Sequence, residues 1–149
     1  MSGEVFFGKE SLISRLTIAE EAITALEKLI QIPEEEVLEN PIYRFALKGA
    51  CIVYIQAILD IGNYIIADKE LGVPSSYEDI ISMLQDNNMI SNQGFERLKE
   101  FLKIRDKILH SSEAISYKIL LNIIKENIGF FKELLNSMKL QMASLSKTE

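Results

Sequence analysis

The sequence has one cysteine, Cys51, so no disulfide can form within the chain. It has one histidine, His110. One of each is too few for a structural zinc site of the usual Cys/His kind. Any imidazole chemistry therefore has a single bearer. Glycine (7) and proline (3) are scarce in 149 residues, which argues against many short strands joined by tight turns. Positive charge is in deficit. The net charge of −6 argues against holding duplex nucleic acid by bulk attraction. The first ten residues, MSGEVFFGKE, lack a basic stretch followed by a long apolar one, so no signal peptide is expected.

What remains is an ordinary mixture for a folded domain, 48% hydrophobic and 26% charged. Its periodicity is helical. Leu12, Leu16, Ala19, Ile23, Leu26 and Ile30 recur every three or four residues, which is one face of a helix that Pro33 stops. Asn40 as N-cap and Pro41 at the first helical position open a second helix of nearly thirty residues. It is apolar on most sides and should form the centre of a bundle. The stretch from Gly49 to Ala67 is long enough to cross a membrane, but Gln56, Asp60 and Asn63 lie near its middle. A central Asp costs about 2.5–3.5 kcal/mol on insertion scales, so a buried core helix is the expected reading. Cys51, inside this apolar run, is expected to be an inert packed thiol.

The segment Leu71-Gly72-Val73-Pro74 ends the central helix. Ser75 with Glu78 reads as a capping box for a short third helix. Asp86 to Asn88 is a loop, and Ser91 caps a fourth helix carrying Leu98, Phe101, Leu102, Ile108 and Leu109. Ser111-Ser112 permits a break, and a last helix runs from about Ala114 into the 140s. Residues 144–149 are expected to fray. The pattern predicts one all-α domain over residues 1–149, an up-and-down bundle of about five helices. A cytoplasmic location is the default.

Two places break the pattern. Arg105 lies four residues after Phe101, three after Leu102 and three before Ile108, so a guanidinium projects from an apolar stripe. Such a group needs a carboxylate, a phosphate or a subunit boundary, unless it snorkels from the stripe's edge. On the central helix, Gln56, Asp60 and Asn63 are four and three apart and share one face. Asp60 is the natural partner for Arg105 or its neighbourhood; the plain alternative is a single structural ion pair. His110 follows Arg105 by five residues. On a regular helix that is about 140° around and about 7.5 Å along the axis, which does not converge on one small target. Convergence needs a helix end near Ser111-Ser112 or a second copy of the chain.

The octapeptide KIRDKILH over residues 103–110 resembles the R-x-x-x-x-H signature of HEPN domains, with polar Asp106 directly after the Arg. The blocks AILDIGNYIIA (57–67) and LGVPSSY (71–77), in this order, resemble the HepT-like branch. The resemblance implies a homodimeric helical bundle that acts as the toxin of a toxin–antitoxin pair. Its antitoxin would be a small MNT-type nucleotidyltransferase, and its substrate RNA, cleaved without metal or other cofactor in the dimer cleft. It implies Arg105 and His110 as the catalytic pair, Asp106 as a polar helper, and Asp60 at the acidic position of the central block; Asn63 shares that face. In the better-known branch a tyrosine two residues after the histidine is the target of antitoxin AMPylation. Here that position is Ser112, and Tyr117 lies five residues later. Either Ser112 takes the modification, or neutralisation works otherwise, as by occlusion. The alternative function is a non-catalytic helical dimer in which Arg105 and His110 hold a nucleotide or a nucleotidyltransferase.

The chemistry suits the residues. RNA cleavage of this kind needs a group to move the 2′-hydroxyl proton, which an imidazole can do. It also needs a cation to hold the charge growing on the phosphorane, and a guanidinium forks onto two phosphate oxygens. Arg97, Lys99, Lys103, Arg105 and Lys107 cluster locally, diluted by Glu96, Glu100 and Asp106.

Overall fold

A computed structural model describes residues 9–110 and 115–145. Among the described residues, six helices make up the regular structure: α1 (Lys9–Leu29), α2 (Glu34–Glu39), α3 (Pro41–Asp68), α4 (Tyr77–Asp86), α5 (Asn92–His110) and α6 (Tyr117–Ala143). The count is six where the periodicity suggested about five. The extra element is α2, six residues between Pro33 and Pro41. It is too short to show a stripe, and its single fully buried side chain, Val37, pins it down.

Helix α3 is central in fact, since it packs against each of the other five. It is long and apolar enough to span a membrane, yet 56% of its most apolar window is buried inside the protein, so the core accounts for its composition. Asn40 caps it as expected, its side chain accepting from the Ile42 N–H at 2.8 Å. Gly62 lets α4 approach closely, because a Cβ there would stand 2.9 Å from Leu84 Cδ1. After α3 the chain turns through Glu70 (φ 54°) and Gly72 (φ 135°).

The α4 cap falls one residue later than expected. Ser76, not Ser75, accepts from the backbone N–H of Asp79 at 3.0 Å. Asp79, not Glu78, reaches back to the Ser75 N–H at 2.8 Å. Ser91 accepts from the Gly94 N–H at 2.9 Å and opens α5. Helix α6 starts at Tyr117, with Ser116 as its cap, rather than near Ala114. The break expected at Ser111-Ser112 lies outside the described residues. At the other end, Ser144 is bonded to the Gln141 carbonyl and Leu145 is buried, so the chain stays docked to 145.

Helix α6 runs antiparallel to α1, in a register marked by the ion pairs Lys132–Glu27 and Lys139–Glu20, and a third pair seven residues on, Lys125–Glu34, ties α6 to the start of α2. They are exposed, so each contributes little, about 0–1 kcal/mol. The core does more to fix α5. Tyr54 of α3 stacks on Phe131 of α6 (centroids 4.3 Å apart) and donates to the Phe131 carbonyl at 2.9 Å. Phe101 of α5 packs edge-on against the same ring at 4.7 Å. This aromatic trio locks α5 one turn before Arg105. Cys51 is buried, and burial pushes its thiol up to about 12. At pH 8 only about one thiol in 10⁴ is then ionised. A thiol-specific disulfide reagent should leave the folded chain unlabelled and react once the chain is unfolded. Rapid native labelling would contradict this packing.

Candidate functional site

Three helices, α3, α4 and α5, meet around Arg105. Its side chain is only 13% exposed. Nη1 donates to Asp106 Oδ1 at 3.0 Å and Nη2 to Gln56 Oε1 at 3.1 Å. The guanidinium lies over the ring of Tyr77, the first residue of α4, with 5.0 Å to the centroid. That contact adds attraction without a formal counter-charge. Nε is buried and has no hydrogen-bond partner among the described residues. A buried donor left unsatisfied costs about 1–3 kcal/mol, so the cation is one acceptor short.

The expected pairing of Arg105 with Asp60 does not occur directly. Asp60 pairs with Arg15 of α1, whose Nε donates to Oδ2 at 3.0 Å. Its other oxygen, Oδ1, accepts from Gln56 Nε2 at 3.0 Å. Gln56 therefore bridges the two, and four residues from α1, α3 and α5 form a chain: Arg15, Asp60, Gln56, Arg105. Asn63, the third member of the polar face, is exposed and stands outside this chain. Asp106 is also well exposed, at 56% of its side chain.

The sequence reading missed Arg15 and Tyr77. Arg15 carried the same signal as Arg105, a cation three after Leu12 and four before Ala19 on an apolar stripe. Tyr77 gave no signal, because only the packing of α4 on α3 carries its ring to Arg105.

His110 is the last residue of α5 and is exposed. Since α5 is unbroken from Asn92 to His110, the 140° divergence from Arg105 persists. No bend within the described residues draws the pair together, and the Arg105 hydrogen bonds go elsewhere. By helix geometry His110 shares its face of α5 with Lys99, Lys103 and Lys107. The local basic cluster is thus split. Arg97 turns to α6, bonding Asn127 at 3.1 Å and covering Phe130, while the three lysines line the histidine's side. Ser112 lies outside the described residues.

The chain matches the family described as Ribonuclease HepT-like over residues 19–138. It is 25% identical over 99 residues to the mRNA nuclease HepT of Shewanella oneidensis, spanning 64% of this chain and 74% of that protein. Among solved structures it resembles a tri-AMPylated Shewanella oneidensis HEPN toxin in complex with MNT antitoxin. The TM-score is 0.79 at 18% identity, covering 87% of this chain and 96% of that one. It also resembles YutE of Bacillus subtilis, described as a cytosolic protein of unknown function, with TM-score 0.77, 20% identity and 94% of both chains covered. The likeness to these structures is one of fold. The family match takes in α3, α4, α5 and the whole of the Arg105 to His110 segment, and the chain belongs to the HepT-like ribonuclease family.

Proposed function

We propose that this protein is a metal-independent endoribonuclease, the toxin half of a pair whose antitoxin is an MNT-type nucleotidyltransferase. Arg105 holds the charge that grows on the phosphorane. His110 takes the proton of the 2′-hydroxyl as that oxygen bonds to phosphorus; the bond from phosphorus to the 5′-oxygen of the next nucleotide breaks, the 5′-oxygen leaves as a hydroxyl by taking up a proton, and the end left behind is a 2′,3′-cyclic phosphate. Asp106 and Asp60 support Arg105, directly and through Gln56. The observation that carries the reading is Arg105 itself, a largely buried guanidinium with a donor that meets no acceptor among the described residues. A phosphate oxygen is the acceptor such a group would use.

The working unit is a homodimer. One straight helix cannot aim both side chains at one phosphate, so a second copy must supply the missing half of each site. The names of the relatives support RNA as substrate and a nucleotidyltransferase as partner. A cytoplasmic location suits both. If the antitoxin modifies this chain at the position of the family's tyrosine, the acceptor is Ser112.

The test is an RNA cleavage assay in EDTA. Wild type should cut and leave cyclic phosphate ends, and His110→Ala should lose about 10²–10⁴ of the rate. Cleavage that survives this substitution undiminished would sink the assignment. A wild type inert on RNA that still captures a nucleotidyltransferase would favour the non-catalytic dimer instead.

A further inference from the structure

Gln56 stands between the Arg15–Asp60 ion pair and Arg105, whose own carboxylate contact is the half-exposed Asp106. Asp60 can only accept hydrogen bonds, so it fixes the Gln56 amide with its NH2 group toward Asp60 and its oxygen toward Arg105. The Asp60 charge is in turn matched by Arg15, which also reaches Ser11 Oγ at 3.3 Å. The direction of the whole chain is therefore set from α1 inward.

We propose that Gln56 is a positioning residue for Arg105, oriented by the Asp60–Arg15 pair, and that its neutrality keeps the Arg105 charge available to phosphate. The inference rests on the reading of Arg105 as the phosphate-binding group. A carboxylate in the place of Gln56 would still accept from the guanidinium, but it would face the Asp60 carboxylate with no donor and would cancel the Arg105 charge in a poorly solvated site. The amide oxygen holds it without cancelling it. Among the described residues, the one formal negative charge touching Arg105 is Asp106, whose exposure lets water screen the pair. Tyr77 contributes only a ring face. The orphaned Nε completes the picture. The cradle fixes the guanidinium at both terminal nitrogens and still leaves it short of an acceptor.

Steady-state cleavage of a short RNA tests this with two substitutions. Gln56→Leu keeps the bulk and removes the oxygen. A misplacement of about 1 Å in a reacting group costs about 10²-fold. The variant should lose kcat on that scale while KM stays within about threefold; the donor left at Arg105 Nη2 lowers the melting temperature, but the chain stays folded at the assay temperature. Gln56→Glu keeps an acceptor and adds a charge, and it should lose at least as much. Equal kcat for wild type and Gln56→Leu would overturn the positioning role. A fully active Gln56→Glu would overturn the argument from neutrality. A loss in Gln56→Leu that only tracks its unfolded fraction would reduce Gln56 to a structural residue. Silence of the wild type itself is a different result, since it removes the ribonuclease reading on which this rests.

Discussion

Arg105→Ala should lower kcat/KM on RNA by about 10³-fold or more while barely changing the melting temperature. Arginines that meet a phosphoryl transition state are worth about 10³–10⁵ in rate. The side chain is largely buried, so a loss of stability would also be a natural guess. The geometry argues against it. Asp60 keeps its ion pair with Arg15 when Arg105 is gone, so no buried carboxylate is stranded. Gln56 loses one hydrogen bond but keeps the other to Asp60. The substitution also removes an unsatisfied buried Nε. These changes oppose one another, and the net should fall within about 1 kcal/mol. Arg105→Lys restores the charge without the planar fork, and its recovery should be small. The measurement pairs steady-state kinetics with thermal melting. A large fall in melting temperature, with activity lost only in proportion, would make Arg105 a structural residue.

That separation of activity from stability depends on a detail the sequence did not yield. The all-α class, the central place of α3 and the misfit of Arg105 were each legible from periodicity, because an apolar stripe records what a helix packs against. The polar face of α3 was legible for the same reason. Its pairing was not. Hydrogen-bond partners across helices depend on which helix lies beside which: α1 supplies Arg15 as the partner of Asp60, and Gln56 stands between Asp60 and Arg105. Helix α2 escaped because six residues carry no period. The cap of α4 slipped by one because Ser75-Ser76 and Glu78-Asp79 offer two overlapping boxes, and only the backbone geometry chooses between them. His110 is the opposite case. Its divergence from Arg105 follows from the five-residue spacing alone, and the unbroken α5 leaves it intact.

That divergence makes mixed dimers informative. Arg105→Ala and His110→Ala chains, each inactive alone, should recover activity when they are unfolded together and refolded. In a dimer whose sites draw Arg105 from one chain and His110 from the other, a mixed pair contains one intact site. That site takes its arginine from the His110→Ala chain and its histidine from the Arg105→Ala chain. The mixed pair's second site lacks both groups. Random association at equal amounts makes half of the dimers mixed, and half of their sites are intact. The expected recovery is thus roughly a quarter of wild-type activity, against a background reduced about 10²-fold or more in each parent. If both groups came from one chain, every site in every dimer would carry a lesion and mixing would restore nothing. The helix makes the first outcome the expected one. The two side chains point about 140° apart on one rigid rod, and two-fold symmetry can bring the arginine of one rod to the histidine of another. Refolded mixtures that stay at the parental background, while sizing as dimers, would place the site within a single chain.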